Sequence, residues 1–461
     1  MKTYQDLMAV GTDEKDRMEF ATSAITEHKT SREVRIAADA ELYARKQNVT
    51  INRAEKYIYS LSGKQIVDEY STNHKCASNY FGRFVTQQVQ YLLGNGVSFI
   101  EEGTKDRLGK DFDIKMQRAA KKALVGGVSF GFMNYDRLEV FALTEFVPIW
   151  DEETGGLRAG IRFWRLDADK PLRFTIYEED GYTDYIQRKG RDPEILKEKR
   201  SYTQIERSTV FDGTEILNGK NYGMFPIVPL WANEEHQSEL VGIRENIDCY
   251  DLIKSGFAND LDDAASFYWT LENCGGMQDK DLAKFIQRIR TVKAAVVDGD
   301  EGARATAHTM EIPYNAREAA LTRIDRDLYE DYMALDVKQL SAGAVTATQI
   351  LAAYESLDEK ADAWEYCVID FILGLLAVLG IEDHPSFTRS KIVNSAEEIE
   401  KVLSAAEYLD DETITRKICT ILGFPDDADE IIRRRDAEET SRFDPGDLDE
   451  GGDDDDGGQS A

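Results

Sequence analysis

Two segments with a helical apolar period constrain this chain more than anything else in it. The first, 238–264, carries Ile243, Ile247, Tyr250, Ile253, Phe257 and Leu261 at helical spacing. The second, 316–335, carries Leu321, Ile324, Leu328, Tyr332 and Leu335 and is strongly charged elsewhere. At ~1.5 Å per residue the first would be about 40 Å long. Their similar length suggests an antiparallel pair with the intervening stretch, 266–314, at its far end. That stretch reads as a compact α/β insertion: a short helix around Leu282, Phe285, Ile286 and Ile289, then strand-like runs at 292–297 and 307–312. One isolated hairpin of long helices buries too little apolar surface to stand alone. Side-by-side packing of many copies would solve this, and a closed ring is the natural symmetric solution.

The rest of the chain supplies a scaffold. Residues 31–46 are rich in Ala, Glu and Arg and should be helical. A longer helix is expected over 72–93, with Phe81, Phe84, Val85, Val89 and Leu92 on one face, ended by Gly94-Asn95-Gly96. A strand at 97–100 and a helix at 111–124 follow. Between 128 and 227 short alternating runs (140–149, 159–166, 172–178, 182–187) read as a mixed sheet, and the charged stretch 189–207 as an exposed excursion. Pro226 and Pro229 fix an extended entry to the first long helix. Small residues Ser341, Ala342, Gly343 and Ala344 break the pattern at 337–346. A third, very long helix then starts near Ala347 and is ended by Gly380 and Pro385. A short strand at 387–393 and three helices, 395–409, 413–422 and 428–438, complete the ordered part. The tail 444–461 is acidic and glycine-rich and cannot bury a core. The fold class is α+β, mainly helical.

Chemistry is hard to find. Net charge is −31, from 56 basic and 87 acidic residues. Such a surface repels nucleic acid at long range, so any contact with DNA must be local, or the repulsion itself useful. The five cysteines form no short-spaced pair, which argues for reduced thiols in a cytosolic setting and against a zinc site. The N-terminus lacks the apolar core of a signal peptide, and the most apolar run, 367–379, is too short to span a bilayer. No phosphate-binding glycine loop, metalloprotease helix or nucleophile elbow occurs. The five histidines are scattered. Acidic pairs (Asp248 with Asp251, Asp262 with Asp263, Asp325 with Asp327, Glu330 with Asp331) could be imagined as a two-metal nuclease. Solvated helix faces with intrahelical ion pairs, Arg323 with Asp327 and Arg326 with Glu330, explain them more simply. Phe267-Tyr268-Trp269 could stack on bases but suits packing in a subunit interface better. No cofactor, metal or catalytic residue is expected.

Four stretches together resemble a known family. Asn79-Tyr80-Phe81-Gly82-Arg83-Phe84-Val85 leads to Tyr91-Leu92-Leu93-Gly94-Asn95-Gly96. Gly223-Met224-Phe225-Pro226-Ile227-Val228-Pro229-Leu230-Trp231-Ala232-Asn233 is followed by Ile247-Asp248-Cys249-Tyr250-Asp251 and Asn259-Asp260. The small-residue break 341–346 enters the third long helix. Tyr408-Leu409-Asp410-Asp411-Glu412-Thr413 opens a run continuing from Asp426 to Glu438. In order and spacing these are similar to the portal proteins of tailed bacteriophages, in the branch with long non-contractile tails that infects Gram-positive hosts. The likeness covers about residues 70–440. Trp231-Ala232-Asn233 replaces that family's aromatic-Asn-Asn, and the 341 break lacks its more usual Gly-Asn-Ser-Ser-Gly flavour.

The resemblance implies a portal fold with wing, stem, clip and crown regions, assembled as a ring with twelve copies expected. Residues 1–235 would form the N-terminal region and wing, 236–265 and 315–336 the two stem helices, and 266–314 the clip. A tunnel loop would follow at 337–346, the long wing/crown helix at 347–380, the crown at 381–440 and the acidic tail at 441–461. It implies a non-enzymatic conduit for double-stranded DNA during packaging and ejection. Its partners would be the terminase large subunit, head-completion/adaptor proteins, the major capsid protein and scaffolding protein. Its place would be the virion, and the host cytoplasm during assembly, with no membrane. Lys338, Gln339, Ser341, Ala342, Gly343 and Ala344 are the expected tunnel-loop residues. Glu318, Asp325, Asp327, Glu330 and Asp331 are candidates for an acidic tunnel lining that does not hold phosphates. Phe285, Arg288, Asp298, Asp300 and Glu301 are candidates for partner binding on the clip. The alternatives are a metal-dependent nuclease, which would bind magnesium or manganese, and a helical interaction protein that forms no ring.

Overall fold

The computed structural model describes residues 2–59, 63–68, 71–101, 103–135, 137–209, 215–264, 268–272, 280, 284–285, 287, 304–308, 313–340, 347–391, 395–423 and 427–442. They fall in two compact units, one of Met1–Val337 with Tyr354–Ser390, the other of Lys338–Ala353 with Lys391–Ala461. The α+β, mainly helical class expected from the sequence is what the described residues form.

The first unit opens with α1 (Tyr4–Val10), α2 (Glu14–Thr30), α3 (Arg32–Ala44) and α4 (Val49–Arg53). Each start of the first three is capped by a side-chain oxygen, from Thr3, Asp13 and Ser31, which satisfies backbone donors that would otherwise be orphaned. A two-stranded hairpin, β1 (Tyr57–Tyr59) and β2 (Gln65–Val67), precedes α5 (Tyr80–Leu93). Then come β3 (Val97–Phe99), α6 (Thr104–Leu108) and α7 (Phe112–Gly126).

Helix α5 begins eight residues later than the periodicity predicts. The backbone N–H groups of His74, Cys76 and Ser78 are taken by side chains of a distant helix, so this segment stays extended instead of coiling.

The middle of the unit is antiparallel throughout its described pairs, not mixed. A five-stranded meander runs β10 (Glu194–Arg200), β9 (Gly181–Gln187), β8 (Leu172–Glu178), β7 (Leu157–Trp164) and β6 (Phe146–Trp150). Three further strands, β13 (Ile227–Trp231), β4 (Val128–Asn134) and β5 (Arg137–Ala142), form a second sheet. The run expected as one strand at 140–149 is split, because a 3-10 turn at Leu143–Glu145 intervenes and the Glu145 carboxylate accepts from the Ala142 N–H at 2.8 Å. The charged stretch expected as an excursion is strand. β10 pairs with β9, and β11 (Thr203–Thr209) pairs with β12 (Glu215–Lys220). β10 has an exposed edge position, so no apolar alternation marks it, and its charges discourage further strand pairing.

Helix α2 covers the meander, burying Phe20, Ala21, Ala24 and Ile25 against Val147, Ile149, Ile161, Phe174 and Tyr185. An aromatic core of Phe130, Phe132, Phe141, Phe146, Tyr177 and Tyr202 joins the two sheets. The largest core is built on α5 and α7 and takes in α8 (Arg244–Ala264), α9 (Tyr314–Tyr332) and α11 (Ala347–Leu379). Close contact there depends on missing side chains: a Cβ on Gly374 would lie 2.6 Å from Val228 Cγ1, and one on Gly131 2.4 Å from the Phe371 ring. A short helix, α10 (Val337–Leu340), lies between α9 and α11, and β16 (Pro385–Phe387) pairs with β3. Of the 266–314 stretch, β14 (Tyr268–Glu272) and β15 (Arg304–His308) are described and form an antiparallel pair. The expected strand at 292–297 lies outside the described residues.

The second unit contains α12 (Ser395–Ser404), α13 (Asp411–Leu422) and α14 (Ala428–Arg442), close to the three helices expected there. Asp410 caps α13 through the Thr413 N–H at 2.9 Å, and Arg416 bridges α13 to Asp429 of α14 at 2.7 Å. The acidic tail lies outside the described residues.

Candidate functional site

Helices α8 and α9 are antiparallel, as their lengths suggest. The Asn246 amide donates to Asp331 at 2.7 Å near one end, and Arg317 pairs with Asp260 near the other. The two contacts step by the same number of residues in opposite directions along the helices. The ring of Phe257, two turns before the end of α8, meets that of Tyr314, the first residue of α9, at 5.7 Å. Helix α5 wedges aromatic side chains between the pair at its base. Tyr80 stands edge-on to Tyr250 and Tyr329, and Phe84 stacks on Tyr332 at 4.9 Å.

Both helices start or stop away from the expected bounds. α8 begins at Arg244 and not at 238, because Gly242 takes a left-handed φ of 103° and breaks the turn before it. α9 ends at Tyr332 and not at 335. Met333 adopts φ 59°, its N–H bonds to the Glu330 carbonyl, and the Ala334 N–H reaches back to the Tyr329 carbonyl at 2.9 Å. This is a Schellman cap with methionine where glycine is usual.

The five acidic candidates on α9 have different surroundings. Glu318 is exposed. Asp325 is half-buried and accepts the Tyr80 hydroxyl of α5, so it faces the core side. Burial, reinforced by Asp325, pushes the Tyr80 phenol well above its ordinary pKa. Asp327 pairs with Arg323 at 3.1 Å and Glu330 with Arg326 at 3.3 Å, the intrahelical pairs expected from the sequence. Asp331 is exposed and holds Asn246.

Beyond α9 the chain turns through an elbow that sequence reasoning missed. The Gln87 side chain of α5 grips both backbone groups of Leu335: its amide donates to the carbonyl at 2.9 Å and its oxygen accepts the N–H at 3.1 Å. The next residue of α5, Gln88, accepts the Tyr332 hydroxyl at 2.8 Å. Lys360 of α11 lies over the Tyr332 ring, donates to the Tyr332 carbonyl at 3.1 Å and pairs with Glu239 at 2.6 Å. Lys338 and Gln339, expected in a loop, sit in the short helix α10, where Lys338 is exposed. Ser341, Ala342, Gly343 and Ala344 lie outside the described residues.

A second device also escaped the sequence reading. Asp251, Ser255 and Asn259 lie along one face of α8 at intervals of a helical turn. They accept the backbone N–H groups of Ser78 (2.8 Å), Cys76 (2.9 Å) and His74 (2.7 Å) in the extended segment before α5. Four helical residues rise ~6 Å and two extended residues ~6.6 Å, so the two spacings match. The polar stripe at i, i+4, i+8 was the visible signal. All three side chains are buried, Asp251 completely. The expectation of solvated acids therefore fails for Asp251 and for its neighbour Asp248, which accepts the Tyr43 hydroxyl at 2.5 Å and the Thr50 hydroxyl at 2.7 Å. Burial pushes the Asp251 carboxyl above the usual carboxylate range, against the opposing pull of hydrogen bonds from Asn48 and Ser78.

Of the clip candidates, Phe285 is buried, and Arg288, Asp298, Asp300 and Glu301 lie outside the described residues. Among the described residues no group of three or more His, Cys, Asp or Glu is placed to hold a metal ion, and no helix is long and apolar enough to cross a membrane.

Comparison with known proteins gives the arrangement its family. The model of the phage portal protein family, SPP1 Gp6-like, matches residues 23–440. The portal protein of Clostridium phage phiCD119 is 25% identical over 433 residues, covering 83% of this chain and 90% of that one. The portal protein of Bacillus phage SPP1 is 24% identical over 332 residues, covering 68% of this chain and 64% of that one, so the match spans just under two thirds of its length. A solved chain from the neck of an empty GTA particle, computed with C6 symmetry, is similar with a TM-score of 0.42 at 12% identity, over 76% of this chain and 90% of that one. That likeness is weak, and the fold stands on the elements described above. With its family match running from residue 23 to residue 440, the chain belongs to the phage portal protein family, SPP1 Gp6-like.

Proposed function

We propose that this chain is the repeating subunit of a ring of twelve at one capsid vertex, and that double-stranded DNA passes through the ring during packaging and ejection. The observation that carries this reading is the portal family match over residues 23–440. The antiparallel pair α8 and α9 would be the stem. The stretch between them would be the clip, docking the terminase large subunit and then the head-completion/adaptor proteins. Residues 337–346 would face the DNA. The major capsid protein and scaffolding protein would surround the ring in the virion, after assembly in the host cytoplasm. The subunit would carry no catalytic step of its own.

The stem surface supports a conduit of low affinity. Phosphates near a basic wall are held by counterion release, which a moving polymer must avoid. On α9, Asp327 and Glu330 are matched by arginines one turn away, and Asp325 is turned to Tyr80, so the helix offers DNA a mixed, slightly acidic face. The decisive experiment is a particle mass. A ring would be many multiples of the 52.2 kDa chain and annular in negative stain, whereas a particle of chain mass at all concentrations would sink the reading.

A further inference from the structure

We propose that the hairpin β1–β2 is an intersubunit arm that docks on a second copy of this chain. Its strands are three residues each, paired Tyr57 with Val67, Ile58 with Ile66 and Tyr59 with Gln65. A two-stranded ladder this short is marginal in water without a surface to lie on. Yet five of its six strand residues are large, apolar and exposed: Tyr57 51%, Ile58 38%, Tyr59 74%, Ile66 42% and Val67 46%. Strand alternation puts Tyr57, Tyr59 and Val67 on one face and Ile58 and Ile66 on the other, so both faces are apolar and both are open. A surface of this kind marks a docking site.

Two observations favour a second copy as the occupant. The first is charge. The chain carries −31, and copies repel each other wherever that charge is expressed. In 55–68 the charges balance, Glu55 and Asp68 against Lys56 and Lys64, so apolar contact there does not meet that repulsion. The second is the root. Asp68 N–H bonds to the Lys56 carbonyl at 2.8 Å, the Asn73 amide to the Ala54 carbonyl at 3.2 Å, and the Lys75 ammonium to the Asn52 carbonyl at 2.5 Å. The segment that follows is fastened to α8 by the buried Asp251, Ser255 and Asn259. An arm held this firmly at its base loses little freedom on docking, which favours association. Arm-to-body contact is heterologous, so it repeats from copy to copy and does not stop at a dimer, and it gives a ring where the rotation closes.

The proposal rests on the ring reading, and the test separates the two. Particle mass is measured for the full chain and for Ile58→Asp/Ile66→Asp, with thermal unfolding as a control. These side chains face solvent, so the melting temperature of the variant should stay close to wild type while the concentration needed for assembly rises at least tenfold. In parallel, a photo-crosslinking side chain in place of Tyr59 should join one chain to another in the assembled particle. Wild-type rings together with variant rings at the same concentration overturn the arm alone, as do cross-links confined to one chain. A wild-type protein that stays at chain mass overturns both the arm and the ring. If the double variant unfolds, the cross-link in otherwise native protein decides.

Discussion

Asp251 shows how much a single buried carboxylate can settle. Its oxygens accept from Ser78 N–H and from the Asn48 amide, deep in the first unit. Replacing it with alanine takes the acceptor from the buried Ser78 N–H and leaves the Asn48 amide with the Ser78 carbonyl alone, which should cost about 1–3 kcal/mol in a denaturant titration. The pH dependence has a definite sign. Burial raises the carboxyl in the folded state, so the native protein binds this proton more tightly than the unfolded chain does. The stabilising contribution of the neutral form is complete below the unfolded value of 3.8 and is lost as pH rises through the folded value. Asp251→Asn keeps the shape without the charge: its oxygen can still accept the Ser78 N–H, and its amide gains the Asn48 Oδ1, which has no partner, once the Asn48 amide that now points its Nδ2 at Asp251 turns over. The variant should therefore gain on wild type as pH rises from 4 to 7. A stability difference that stays flat over that range would show that Asp251 is not raised.

At the scale of elements, the elbow after α9 is held by one side chain that reads both backbone groups of one residue. Gln87→Ala would leave the Leu335 N–H and carbonyl without this partner, at a cost of about 1–2 kcal/mol. Faster amide hydrogen exchange at 333–338, with the exchange of α5 unchanged, is the expected signature; unchanged protection at the elbow would count against the latch. Elements of this kind explain what the sequence could and could not tell. The long helix Ala347–Leu379 was legible because its apolar period is unbroken and glycine closes it. The start of α5 was not, since nothing local forbids helix at 72–79; the three α8 side chains that hold the segment open are far away in sequence. β10 was missed because an exposed edge strand has no buried face to print an alternation. Gln87 is an ordinary surface-type residue by composition, and only the fold brings Leu335 to it. The helix pair was visible as architecture, but which acids of α9 point to solvent was decided by Tyr80, Arg323 and Arg326.

For the whole molecule, net charge would govern the proposed assembly. A chain at −31 should associate more readily as salt screens it, because the Debye length falls from about 30 Å at 0.01 M to about 10 Å at 0.1 M. Ring formation at fixed protein concentration should rise over that range in mass photometry. A fall would mean that ion pairs, not apolar contact, join the copies. The retracing of α8 by α9 has a further result. With Asp260 beside Arg317 and Phe257 beside Tyr314, the last turns of α8 lie against the first turn of α9, so the chain sets out for 265–313 and returns on the same side of the unit. Whatever is spliced in between adds no displacement to the two strands of the stalk. Such a stretch should be exchangeable for another of different length or chemistry, as a plug is changed on a cable, with the melting temperature of the body behind it unchanged.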